Sequence, residues 1–153
     1  MGSRSRTLAA AGTLLIGATL GAVPQASAVP VTSAAAAAPG TAGYLNMWVD
    51  DNYETCAWSR LNYDSNFGND WCGAGTMHAL RLDDKLSSFV NKTSDWWVLY
   101  EDKDYGGARV CVRPNSHDAN IGNDTSYEDD ISSVERRGTT KPANCTDTTG
   151  TAN

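Results

Sequence analysis

Acidic residues and aromatic rings are both missing from the first forty-three of the chain's 153 positions; every Asp, Glu, Phe, Trp and Tyr lies from Tyr44 onward. A stretch of this kind, with thirteen alanines, cannot build a core, and the split in composition separates a targeting segment from one folded domain. Arg4 and Arg6 give a positive start, Leu8 to Val23 carry no charge, and Ala26-Ser27-Ala28 is a small-x-small cleavage site. These parts predict a secretory signal over 1–28, an exported protein, and a flexible Ala/Pro leader over 29–43. The uncharged run is short for a bilayer, and no later segment is long and apolar enough to cross one, so no membrane partner is expected after cleavage.

The remainder lacks the length for large folds. About 95 residues, 44–138, are left before a small polar tail, 139–153, which excludes a TIM barrel, a kinase or a dinucleotide-binding dehydrogenase. Positive charge is scarce as well. Without the signal, ten basic residues face eighteen acidic ones, a net charge of −8 that phosphate backbones and anionic lipid would repel, so no nucleic-acid partner is expected. Only two histidines occur, His78 and His117, neither flanked by a plausible nucleophile and orienter, and no catalytic residue is assigned. No two cysteines have C-x-x-C spacing. In an exported chain the four present, Cys56, Cys72, Cys111 and Cys145, read as two disulfides rather than a zinc site.

No long helical apolar period appears either. What is present is a series of short β-type runs separated by turn residues: Tyr44–Val49, Trp96–Tyr100, Ala108–Arg113 and Ile131–Arg136. The order of features also occurs twice. Trp48-Val-Asp-Asp-Asn-Tyr53 returns as Tyr100-Glu-Asp-Lys-Asp-Tyr105, 52 positions later. Asp83-Asp84-Lys85-Leu86-Ser87-Ser88 returns as Glu128-Asp129-Asp130-Ile131-Ser132-Ser133, 45 positions later. The first copy is seven residues longer, an excess placed in Leu61–Gly75. Two halves, about 44–91 and 96–137, imply a duplicated four-stranded unit packed as an all-β sandwich.

The tract from Tyr100 to Gly107 resembles the βγ-crystallin Greek-key signature, and Asp83 to Ser88 resembles that family's calcium motif, two Asp/Asn, two variable positions, Ser/Thr and Ser. Small exported actinobacterial proteins of this fold, grouped with a Streptomyces metalloproteinase-inhibitor family, are similar over roughly 44–137. The resemblance implies a βγ-crystallin-type sandwich of two Greek keys that binds up to two calcium ions. It implies Ser87 and Ser132 as hydroxyl ligands, Lys85 and Asp130 as carbonyl donors, and Val49 and Glu101 as contributions from the opposite half's hairpin. Asp83, Asp84, Glu128 and Asp129 would complete the spheres. Two departures stand out: Thr55 replaces the hairpin glycine of the first half, and Glu128 replaces the first Asp of the second motif. The alternative implied by the resemblance is a proteinase inhibitor on the same fold, with Leu61–Gly75 as its loop.

Strand alternation bears on the disulfides. On a strand at 108–113, Val110 and Val112 face inward and Cys111 outward beside Arg109 and Arg113, within reach of a tail anchored only by Cys145. Cys56–Cys72 then staples the first half; the two crossed pairings stay open. Trp48, Tyr53, Leu86, Phe89, Tyr100, Tyr105, Ile131 and Val134 are expected to be largely buried, and Trp96 and Trp97 to face opposite ways.

Overall fold

A computed structural model describes residues 37–73, 75 and 77–152; the expected signal at 1–28 lies outside them. Twelve short strands run β1 Leu45–Asp50, β2 Glu54–Arg60, β3 Tyr63–Asp64, β4 Trp71–Cys72, β5 Leu80–Arg81, β6 Ser88–Asn91, β7 Trp96–Tyr100, β8 Arg109–Val112, β9 Ser116–Asp118, β10 Ser133–Gly138, β11 Thr148–Thr149 and β12 Thr151–Ala152. They form two five-stranded sheets, β12-β9-β6-β1-β2 and β11-β8-β7-β10-β3, and a small β4-β5 ribbon. The halves exchange strands: β9 joins β6 of the first half, and β3 joins β10 of the second. The result is an all-β Greek-key sandwich.

Alternation along each strand builds the core between the sheets. Leu45, Met47 and Val49 of β1 meet Trp97 and Leu99 of β7, Val110 and Val112 of β8, Phe89 and Val134. Both halves also repeat a feature that the sequence reading passed over. Asn66-Phe-Gly-Asn-Asp70 and Asn120-Ile-Gly-Asn-Asp124 are Asn-capped turns that drop Phe67 and Ile121 into the core. Each turn buttresses the other half's hairpin: Asp104 N–H donates to Ser65 O at 2.8 Å, and Asn52 N–H to Ala119 O at 2.7 Å.

That repeat moves the extra length of the first half. Seventeen positions separate Asn66 from Asp83 but only eight separate Asn120 from Glu128, so residues 61–70 belong to the duplicated frame. The addition is the β4-β5 ribbon, not the whole of Leu61–Gly75 as the sequence suggests.

The outer faces differ from expectation in four places. Cys111 does point away from Val110 and Val112, yet it is fully buried, because Cys145 and the tail cover it beside Val98 and Tyr100. The tail itself is ordered into β11, parallel to β8, and β12, antiparallel to β9. The end of the leader is tied down too: Asn46 bonds Thr41 through both amide atoms, at 2.8 and 3.1 Å, and Gly43 N–H donates to Lys92 O. Tyr53 and Tyr105 are only half-buried, lying edge-on over Trp48 and Tyr100 with ring centroids 5.3 and 5.6 Å apart. Trp97 is buried in the core and Trp96 half-buried on the opposite face. The disulfides join Cys56 to Cys72 and Cys111 to Cys145.

Candidate functional site

Both halves bend at the same kinds of residue. Asn52 and Tyr53 in the first hairpin, and Asp104 and Tyr105 in the second, have left-handed backbones, as do Asp84 and Asp129, the second residues of the two acidic motifs. Asx residues tolerate this conformation better than other side chains with a Cβ. Thr55 sits at φ 53° where its counterpart Gly107 has 71°, so the first hairpin closes through the left-handed region even without glycine. Thr55 Oγ1 donates to the Asp50 carboxylate.

The two serines of each motif divide the work. Ser88 and Ser133, both fully buried, clamp the hairpins: Ser88 accepts from Tyr53 N–H at 3.1 Å and donates to Asp50 O at 2.7 Å, while Ser133 accepts from Tyr105 N–H at 3.2 Å and donates to Asp102 O at 2.6 Å. Sequence reasoning singled out the other pair, Ser87 and Ser132. Ser87 Oγ donates to Val49 O at 2.7 Å and lies 3.5 Å from Asp129 Oδ1; Ser132 Oγ donates to Asp84 Oδ1 at 2.7 Å. The contribution that crosses between halves is therefore the motif aspartate. Val49 serves the loop of its own half, where the resemblance implied a contribution from the opposite one.

Ser87 opens onto a shallow depression of about 570 Å³ lined by Val49, Asp50, Asp51, Asn52, Glu54, Lys85, Glu128 and Asp129. Burial, then the charges of Asp51 and Asp129, raise the pKa of Glu128. Asp51 Oδ2 accepts from Asn120 Nδ2 at 2.5 Å, whereas its buried Oδ1 has no hydrogen-bond partner in the structure. At the second motif Glu101 turns its carboxylate back to accept from Ala108 N–H at 3.1 Å, and Asp130 N–H donates to Tyr127 O. Asp83 does not line that depression and stands in an ion pair with Lys103 at 2.7 Å. Among the described residues no group of three or more His, Cys, Asp and Glu is arranged to hold a metal. His117 lies edge-on to Tyr53, with ring centroids 6.5 Å apart.

A second surface feature is built on the added ribbon and its surroundings. The four large apolar side chains that stand exposed among the described residues are Leu61 (48%), Tyr63 (67%), Trp71 (46%) and Met77 (96%), all within 61–77. The base of the segment is rigid. Cys56–Cys72 ties β4 to β2, Arg60 pairs with both Asp64 and Asp70, and the Arg81 guanidinium lies 5.0 Å from the Trp71 ring centroid. Burial and the neighbouring Asp64 raise the Asp70 pKa. Asp64 is lowered: burial opposes ionisation, but hydrogen bonds from Asp70, the Asn66 N–H and Arg60 outweigh it.

Residues 51–112 match the family model of peptidase inhibitor family I36. No curated protein matches the chain. Among solved structures the chain is similar to a domain described in work on the evolution of the eye-lens βγ-crystallin fold, at 16% identity over 65% of this chain and 89% of that one, with a TM-score of 0.53. It is also similar to a βγ-crystallin from an archaeon, at 20% identity over 63% and 100% with a TM-score of 0.51. A βγ-crystallin from Ciona intestinalis gives 18%, 62%, 100% and 0.50 respectively. No helix of the described residues is long and apolar enough to cross a membrane. The chain therefore has a βγ-crystallin-like Greek-key fold, and its residues 51–112 match peptidase inhibitor family I36.

Proposed function

We propose that the protein is an exported, non-catalytic peptidase inhibitor that presents its stapled segment, and above all the β4-β5 ribbon, to a secreted proteinase. One observation carries this reading: among the described residues the large exposed apolar side chains are confined to 61–77, inside the part that matches an inhibitor family. An apolar surface held by a disulfide and a bridging arginine loses little conformational freedom on docking, so more of its burial becomes affinity. Titration of the exported protein against metallo- and serine endopeptidases tests it; tight, stoichiometric inhibition of at least one is expected, and inhibition of none sinks the reading. Removal of residues 1–28 on export belongs to the same proposal and is read by the N-terminal mass of the secreted form.

A second reading concerns calcium, and the orphaned Asp51 Oδ1 at the Ser87 depression favours it. Calcium takes six to eight oxygen ligands from carboxylates, carbonyls, hydroxyls and water. The Val49 carbonyl, Ser87 hydroxyl and Asp129 carboxylate, with Lys85 beside them, are a donor set of that chemistry, and Asp84 with Ser132 is its counterpart in the second motif. The ion's contribution would be to neutralise facing carboxylates and pin the two motifs together, with a Kd of about 10⁻⁴–10⁻³ M. At a hundredfold excess over Kd, binding to the folded state alone adds about 2.7 kcal/mol. Melting that is identical with calcium and with chelator sinks this reading.

A further inference from the structure

We infer that Met77 is the side chain that enters the peptidase's specificity pocket, and that this pocket is one that takes an unbranched apolar side chain. The inference rests on the inhibitor reading and goes further, from a surface to one residue and one class of pocket.

Its ground is the duplication. Every other strand and helical turn from Leu45 to Gly138 has a counterpart in the other half, so the ribbon is material added to a frame that is complete without it. The ribbon's base is fixed on three sides: the pairs Trp71–Arg81 and Cys72–Leu80, the bond from Leu82 N–H to Asp70 O at 3.2 Å, and the disulfide to Cys56. Trp71 belongs to this base, partly covered by Arg81. Met77, by contrast, stands 96% exposed beyond it, more than any other large apolar side chain described. Its described neighbours Gly73, Gly75 and Ala79 carry no side chain beyond a methyl group, so they add little bulk beside Met77.

Charge selects the pocket. From Trp71 to Leu80 there is no Asp, Glu, Lys or Arg, in a chain with eighteen acidic residues. A pocket built around a carboxylate to receive Lys or Arg finds no cation here, whereas an apolar pocket removes from water a thioether side chain that the free protein leaves fully wet.

The test measures Ki for the exported protein, Met77→Ala and Met77→Lys. The panel is a metallopeptidase and a serine peptidase with apolar pockets, and a trypsin-type peptidase. Melting temperatures should be unchanged, since Met77 contributes nothing to the core. The expected result is inhibition of an apolar-pocket enzyme, weakened about 10- to 100-fold by Met77→Ala. Met77→Lys should lose that target and gain the trypsin-type enzyme. Inhibition left unchanged by both variants overturns the role of Met77 while the inhibitor reading stands. Inhibition of the trypsin-type enzyme alone by the unmutated protein overturns the pocket class. Inhibition of none of the three overturns the inhibitor reading, and this inference with it.

Discussion

Single side chains decide how the two hairpins close. Thr55 holds a left-handed backbone that Gly107 adopts freely in the other half, and its Cβ pays a steric cost of about 1–2 kcal/mol. Thr55→Gly should therefore stabilise the domain, by about 0.5–1 kcal/mol once the bond to Asp50 and the flexibility of glycine are subtracted. A lower denaturation midpoint would contradict it. The serine pairs give a sharper contrast. Ser88→Ala strands the Tyr53 N–H and should cost about 1–3 kcal/mol. Ser87→Ala should cost less and instead remove the calcium-dependent part of the melting temperature; equal losses without any calcium response would show that both are plain turn residues. From sequence, the D-D-x-x-S-S pattern pointed to Ser87 and Ser132 but not to the clamping role of Ser88 and Ser133. That role depends on the bend of a hairpin 28 to 38 positions earlier in the chain.

At the scale of elements, Arg60 bridges β2 to the segment that leads into the ribbon, and its two carboxylates titrate in opposite senses. Asp64 has a lowered pKa, so its stabilisation is complete above the unfolded value and is lost as pH falls through the folded one. Asp70 has a raised pKa, so its ionised form opposes folding at neutral pH and acidification relieves that. Denaturation at pH 7 should find Asp64→Asn destabilising and Asp70→Asn neutral or stabilising, with the gap closing in acid; the reverse order would contradict the assignment. The strands were legible where β-type runs stood between turn residues, as at 96–100. The ribbon's limits were not, because Phe67 and Ile121 differ in type and the two turns lie 54 positions apart, a spacing shared by neither of the other repeats. The shared Asn-x-Gly-Asn-Asp pattern is the signal that could have found the pair, and the common burial of Phe67 and Ile121 shows what the turns are for.

For the molecule as a whole, duplication was written in the order of motifs, and the strand exchange between sheets follows from it. The tail was not legible: Thr148 to Ala152 have neither bulk nor alternation, and their strands exist only because β8 and β9 offer unpaired edges. That strap has a consequence for cooperativity. It crosses from one sheet to the other at Gly150, where φ is +96° and an added Cβ would stand 2.5 Å from Ser116 Oγ. Arg113 holds the crossing through Gly150 O at 2.8 Å and Thr148 Oγ1 at 2.7 Å. Because one short segment seals both edges, the outermost strands of the two sheets should open as a single unit rather than fray separately. In hydrogen exchange the edge amides of β8 and β9 should share one opening free energy, and Gly150→Val should lower both together while the β1 and β7 amides keep theirs. Loss of protection on one sheet alone would mean that the strap is two independent contacts.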